Sequence, residues 1–355
     1  MNEKILNKSQ ISKLFETLNK DYNFFAPSKE KGNIIFKKIN DSKEIELDYL
    51  NSKIPPKEVV FPRIDIIFEY KINGKDIEIV NSKNLEVKNI IFGIRPCDAY
   101  SFYLFENFFQ FGKFKDELFL KKRRGSLLIG IGCNNPRNTC FCTSVNGHPF
   151  KKEHLDILLV DLGEKYLVEP ITEKGKDLIL NLEWLSDVTK NDIKKAKDLS
   201  KKAELTISTK MDFKDTFKNL DSNFNSLLWK EISESCLGCG TCAYLCPTCT
   251  CFDVIDENDH YNNRGRRIRI WDTCQFCLYT LETSGHNPRD AKIQRCRNRI
   301  MHKFCYYPKN YNLIGCVGCG RCIQFCPVNN DLRLIIEKVN KIKKEKEKEE
   351  MILSV

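Results

Sequence analysis

Two cysteine runs constrain this chain more than anything else in it. Cys236-x2-Cys239-x2-Cys242-x3-Cys246-Pro247 is followed by Cys316-x2-Cys319-x2-Cys322-x3-Cys326-Pro327 at identical spacing. Each is the bacterial ferredoxin run for a [4Fe–4S] cluster, in which the fourth cysteine serves the partner cluster. Three closely spaced thiolates can wrap one face of a cubane, and the cysteine before proline lies too far along to join them. The spacing therefore predicts crossed ligation. Cys236, Cys239, Cys242 and Cys326 hold one cluster, and Cys316, Cys319, Cys322 and Cys246 hold the other. Gly238, Gly240, Gly318 and Gly320 thin the backbone so that its N–H groups can approach the sulfurs. Proline after the last ligand turns the chain away. A pair of zinc sites is the competing use of the same thiolates.

The 355 residues suggest two domains, or three, and 41% hydrophobic content is enough for real cores. A chain of this length needs no disulfide staples, so the eighteen cysteines point to metal and a reducing cytoplasm, and exposed clusters point to an anaerobe. The start, MNEKILNKSQ, is charged and lacks the apolar centre of a signal peptide. Apolar stretches such as Ser126 to Cys133 are too short to span a bilayer. We expect a cytoplasmic protein without a membrane span.

The net charge of +10 is concentrated locally. Between Asn258 and Asn310 eleven Lys/Arg face four Asp/Glu. These cations interleave with cysteines and aromatics. Balancing thiolate-ligated clusters, or docking a partner, explains them better than a nucleic-acid surface. A solvated face is the plainer alternative.

The expected fold class is α+β, an N-terminal mixed α/β domain followed by an all-helical dicluster ferredoxin domain. Ser9 to Leu18 reads as an amphipathic helix. Ile66 to Ile72 and Lys75 to Val80 flank Asn73-Gly74 as a hairpin. Two apolar runs, Asn89 to Ile94 and Ser126 to Ile131, bracket a helical segment from Asp98, a plausible N-cap, to Phe109. That is the pattern of a βαβ unit with buried parallel strands. Leu155 to Val160 and Tyr166 to Val168 form a second hairpin around Leu162-Gly163. The expected boundaries are 1–185 for the α/β domain, 186–220 for a charged helical linker, 221–340 for the ferredoxin domain and 341–355 for a Lys/Glu tail. Asp221 to Ile232 reads as one amphipathic helix. Leu332, Ile335, Ile336, Val339 and Ile342 recur at helical spacing. The second run begins 70 positions after Cys246, more than a compact βαββαβ ferredoxin needs. No G-x-G-x-x-G follows a strand and no P-loop is present, which argues against a flavin or nicotinamide site.

A third constellation lies in the first half. Cys97 follows one apolar strand and Cys133 ends the other. In a parallel sheet both emerge at the carboxyl edge, where open α/β sheets place their ligands. Cys140 and Cys142 follow in a loop. Four thiolates converging there would hold a third [4Fe–4S] cluster or a related metal. Buried free cysteines and a redox-active thiol pair are the alternatives. Six cysteines remain: Cys249, Cys251, Cys274, Cys277, Cys296 and Cys305. A further metal site is open to them, but packing beside the clusters is the simpler role. His286 and His302 read as structural hydrogen-bonding groups more than as ligands.

Several segments are similar to one family. They are Arg95-Pro96-Cys97-Asp98-Ala99, Gly132-Cys133, Thr139-Cys140-Phe141-Cys142-Thr143-Ser144, Cys246-Pro247-Thr248-Cys249-Thr250-Cys251, Trp271-Asp272-Thr273-Cys274-Gln275-Phe276, Gly285-His286-Asn287 and Cys316-Val317-Gly318-Cys319-Gly320-Arg321-Cys322, with Phe25-Ala26-Pro27 near the start. The chain resembles the family that holds the iron–sulfur electron-transfer subunit of anaerobic sulfite reductase and the beta subunit of cytoplasmic NiFe hydrogenases, the sulfhydrogenases. Gly147-His148-Pro149 and Pro288 depart from that pattern, and Cys277, Cys296 and Cys305 look additional. The resemblance implies an electron-transfer subunit between a flavoprotein that handles NAD(P)H and a catalytic reductase or hydrogenase subunit, with FAD and NAD(P) in the partner only. It also implies that the N-terminal four-cysteine set is a cluster site. Such a chain performs no bond chemistry itself and has no catalytic residues. A self-contained iron–sulfur enzyme or redox sensor using the N-terminal cysteines is the alternative, and a nucleic-acid-binding cluster protein is a weaker one.

Overall fold

The computed structural model describes residues 3–80, 87–259 and 261–353, with side chains described to residue 342. Its strands in chain order are β1 (Lys4–Asn7), β2 (Asn23–Glu30), β3 (Asn33–Lys38), β4 (Ile64–Asn73), β5 (Asp76–Val80), β6 (Asn89–Ile94), β7 (Ser126–Ile131), β8 (Ile157–Asp161), β9 (Lys165–Pro170), β10 (Ser186–Asp187), β11 (Phe252–Asp259) and β12 (Arg264–Trp271).

Eight strands form one sheet in the order β10-β1-β9-β8-β7-β6-β2-β3. Its centre is parallel, with β2, β6, β7 and β8 aligned, and its flanks are antiparallel. Every residue of β6 and of β7 is buried, which suits strands covered on both faces. On one face Phe102, Phe105 and Phe109 of the Pro96–Gln110 helix pack against Ile91 and Leu128. On the other, Leu14, Phe15 and Leu18 of the Ile11–Leu18 helix pack against Ile90 and Phe92. Helix Lys190–Thr206 buries Ala196 and Ala203 in the first of these cores.

The expected β4–β5 hairpin is present, but its turn sits one residue later than expected. Asn73 pairs with Asp76, so Gly74 and Lys75 make the turn. Gly74 carries φ +65°, the first-position glycine of a type II′ turn. Asp98 is not an N-cap. The helix starts at Pro96 after Arg95, a proline start in which the missing N–H costs nothing. Asp98 instead lies fully buried in the first turn. The expected helix from Asp221 to Ile232 is two shorter ones, Thr216–Ser222 and Leu228–Glu234. Asn223 separates them: its amide donates to Asn219 O at 2.8 Å and its carbonyl accepts the Trp229 indole N–H at 2.9 Å. Such local side-chain bonds compete with helix continuation.

The C-terminal part is not all-helical. β11 and β12 form an antiparallel hairpin between the two cysteine runs. β12 then pairs with β4, giving a second sheet of order β11-β12-β4-β5. Arg267 bonds Asp256 and Arg266 bonds Glu257 across the hairpin, so charges that obscure the strand pattern in the sequence are cross-strand pairs. Buried Arg269 bonds Asp65 at 2.8 Å and also Asp116, tying the hairpin to the first half of the chain. The remaining C-terminal core is helical. Leu332, Ile335, Ile336 and Val339 of helix Leu332–Leu353 pack with Trp229, Ile300, Met301 and Phe304. The question whether the Lys/Glu tail is solvated falls on side chains outside the described residues. Among the described residues no helix is long and apolar enough to cross a membrane.

Candidate metal centres

In each run the chain turns at a left-handed glycine, Gly240 or Gly320, and enters a four-residue helix, Thr241–Tyr244 or Arg321–Gln324. The turn projects cysteines on both sides of it into a pocket. Gly238 N–H donates to Cys236 Sγ at 3.4 Å, and Gly318 N–H donates to Cys316 Sγ at the same distance. Such bonds stabilise thiolate charge.

The first-run pocket is lined by Cys236, Cys239, Cys242 and Cys326, with Cys296, Cys322 and Arg299 in its wall. The second-run pocket is lined by Cys246, Cys316, Cys319 and Cys322, with Arg299 and Lys303. Each cysteine that precedes a proline thus lies in the pocket of the other run. Each pocket offers four soft sulfur donors, the set a cubane needs. Among the described residues no three His, Cys, Asp or Glu side chains gather closely enough to hold a single metal ion.

The third pocket brings Cys97, Cys133, Cys140 and Cys142 together. Cys97 sits just past β6 and Cys133 just past β7, at the carboxyl edge of the parallel strands. Arg95 braces this edge. Its guanidinium donates to Gly132 O at 2.6 Å, to Leu50 O at 3.2 Å and to Tyr49 O. The loop carrying Cys140 and Cys142 is pinned to the second run, where Phe141 N–H donates to Gly318 O at 2.9 Å. Cys319 lines both this pocket and the second-run pocket. Cys322 and Arg299 line both run pockets. The three sites therefore share walls in series, with the second-run site in the middle.

Burial sets the electrostatics. It pushes the thiols of Cys97, Cys133, Cys242, Cys319 and Cys322 up, and those of Cys140, Cys142 and Cys316 up to about 12. Metal binding must expel these protons. Two ligand positions differ. A hydrogen bond from Cys296 lowers Cys236 to about 6, and one from Cys249 holds Cys246 well below the usual thiol range. Burial opposes the charge of Arg299, but the sulfurs of Cys242, Cys249, Cys322 and Cys246 outweigh it and raise its pKa. Lys303 is held charged in the same way by Cys246 and Cys249. Two buried cations thus stand beside the two run pockets. Arg264, Arg266 and Arg267, from the same basic stretch, lie on the surface of the second sheet.

The sequence reading missed a buried ion pair that locks the second-run site to the first half of the chain. Arg321 Nη1 and Nη2 reach Asp98 Oδ1 and Oδ2 at 2.6 and 2.8 Å, and both residues are almost wholly inaccessible. Arg321 also donates to Ser52 O at 2.8 Å, and Asn51 Nδ2 donates to Cys319 O at 3.0 Å. One signal was available. Arg321 occupies the position that Thr241 holds in the otherwise equivalent first run. His286 is exposed. Burial lowers His302 to about 4, which leaves it a neutral, structural group.

Residues 235–330 match the family model described as a 4Fe-4S dicluster domain. Two [4Fe–4S] clusters follow from that match. The whole chain is 29% identical over 339 residues to the sulfhydrogenase 2 subunit beta of Pyrococcus furiosus, covering 94% of this chain and 97% of that one. No solved structure matches the chain. It is an iron–sulfur protein and a distant full-length homologue of that subunit.

Proposed function

We propose that this homologue of a sulfhydrogenase beta subunit is an electron-transfer subunit with three [4Fe–4S] clusters in series. It relays electrons between an FAD- and NAD(P)H-binding partner and a catalytic reductase or hydrogenase subunit in the cytoplasm. The observation that carries this reading is the shared walls. Cys319 faces both the N-terminal and the second-run pockets, and Cys322 and Arg299 face both run pockets. When bound, each cluster takes up and releases one electron at a time. The chain's own residues hold the iron, exclude water from the middle site and place positive charge at Arg299 and Lys303. Exposed Cys239 marks one terminus of the wire and the N-terminal site marks the other.

Iron and sulfide content tests the third cluster. About twelve irons per chain supports it, and about eight removes it. Cys319→Ser tests the relay: it should remove or convert the middle cluster and stop transfer between partners. Unchanged EPR with unchanged turnover sinks the reading. Anaerobic co-purification should bring down a flavoprotein and a catalytic chain.

A further inference from the structure

One cysteine faces a cluster pocket that the ligand sets do not account for. The first-run pocket is lined by Cys236, Cys239, Cys242 and Cys326, and also by Cys296 of the Lys292–Met301 helix. Cys322 in the same wall belongs to the second run. Of the cysteines lining the three pockets, Cys296 alone is in neither a run nor the N-terminal set. Cys296, Arg299 and Ile300 line the pocket together. Spacings of three and four put them on one helix face, which is the face turned to the site. Cys296 is only 6% exposed. Its Sγ stands 3.8 Å from Gln275 Oε1, the long contact of a thiol acting as a weak donor.

The Cys296 helix is anchored beside Cys236. Lys292 Nζ donates to Glu234 O at 3.0 Å, and Cys236 N–H donates to Ser233 O at 3.1 Å where the Leu228–Glu234 helix ends. Ile232 of that helix shares a core with Ile300. Gln275 stands between the two cysteines' surroundings. Its Oε1 meets Cys296, and its backbone O would lie 3.6 Å from a Cβ on Gly238, the residue whose N–H bonds Cys236 Sγ. A [4Fe–4S] cluster takes four thiolates, and this pocket offers five that no other site claims. We propose that Cys296 is a reserve iron ligand of the first-run site, able to take over the iron held by Cys236. This rests on the reading above only in requiring a cluster in the first-run pocket.

The exchange balances. One iron–sulfur bond breaks at Cys236 and one forms at Cys296. The Cys296 thiol gives its proton to water, and the freed Cys236 thiolate takes one up from water. Neither the net charge nor the electron count changes. The second-run pocket has no such surplus, because the cysteines that line it are Cys246, Cys316, Cys319 and Cys322. The reserve therefore stands at the site where solvent reaches the sulfurs. Cys239 is exposed and Cys236 half-buried there, whereas Cys296 is buried. A second sulfur on a buried helix face lets that peripheral site keep its full set of irons when Cys236 is lost.

The test compares four anaerobically prepared full-length proteins: native, Cys296→Ala, Cys236→Ala and the double variant. Iron and sulfide per chain are measured, and EPR of the reduced proteins reports the clusters. Cys296→Ala should match the native protein. Cys236→Ala should keep the native iron content with an altered first-run signal. The double variant should lose about one iron per chain if the cubane shrinks and about four if it is lost. Cys236→Ser, closer in size, serves with its own double variant if Cys236→Ala does not fold. Equal iron content in the Cys236 variant and its double overturns the proposal, and so does failure of both Cys236 variants to load a first-run cluster. Iron loss in Cys296→Ala alone also overturns it, because Cys296 is then a resident ligand. Native cluster signals alongside any of these failures leave the electron-transfer reading standing, whereas a native protein without a first-run signal overturns both.

Discussion

The two cysteine runs match in spacing but differ in what surrounds them. In the first, Cys239 is exposed and Leu237 beside it is 66% accessible. In the second, Cys316 and Cys319 are buried, and Gly318 and Gly320 press against the loop that carries Cys140 and Cys142. Position 241 holds a threonine in the first run. Its counterpart Arg321 is sealed against Asp98 of the Pro96–Gln110 helix. The same local motif therefore builds a peripheral site in one place and an internal junction in the other. The motif supplies ligands, and its neighbours decide whether the site meets a partner or another site.

The strongest way to break this contrast is at the ion pair. Asp98→Ala strands the Arg321 guanidinium without its counter-charge and should cost about 3–5 kcal/mol. Thr241→Ala, at the matching position of the first run, should cost less than about 1 kcal/mol. Denaturant melts of the two holoproteins check the difference, and similar losses would erase the asymmetry.

The glycines give a smaller, paired effect. Gly318 and Gly238 both have positive φ, +63° and +66°. A Cβ on Gly318 would lie 2.6 Å from the Cys142 backbone, whereas one on Gly238 meets nothing closer than Gln275 O at 3.6 Å. Gly238→Ala should cost about 1–2 kcal/mol for the left-handed backbone alone. Gly318→Ala should add about 1–3 kcal/mol for overlap, and it should disturb the N-terminal site, visible as iron loss confined to that variant.

Charge distinguishes the sites without unfolding anything. Lys303 lines the second-run pocket and not the first. Lys303→Met should move the potential of the middle cluster in the negative direction and leave the first-run cluster nearly unchanged. An EPR-monitored redox titration resolves the two signals, and equal shifts would contradict the separation.

The smallest expected effect is a pH slope. Burial lowers His302 from 6.5 to about 4. Above pH 6.5 it is neutral folded or unfolded and does not affect stability. As pH falls from 6.5 towards 4 the unfolded chain binds the proton first, so stability drops by at most about 1.4 kcal/mol per pH unit. His302→Gln should flatten that slope in thermal melts between pH 6.5 and 5.

Much of this was legible in the residues. β6 and β7 could be read to the residue, because a parallel strand buried on both faces is written as an uninterrupted apolar run. The Leu332 to Val339 stripe could be read for the same reason at helical spacing. The β11–β12 hairpin could not, because Arg266, Arg267, Asp256 and Glu257 pair across strands and hide the alternation. Asp98 resembles a cap in the sequence because its real partner is Arg321, more than two hundred residues away along the chain. The segment around Asn223 reads as helical because its side-chain bonds are invisible to periodicity.

By itself the sequence determined the dicluster motif. Twelve cysteines at short spacings and strand ends can be read as iron ligands, because ligand geometry over a few residues is a local property of the backbone. Only the tertiary structure decided the order of the pockets, the burial of the second run and the ion pair between Arg321 and Asp98. Those depend on which distant segments share a wall, and packing, ion pairing and sheet registry across the whole chain settle that.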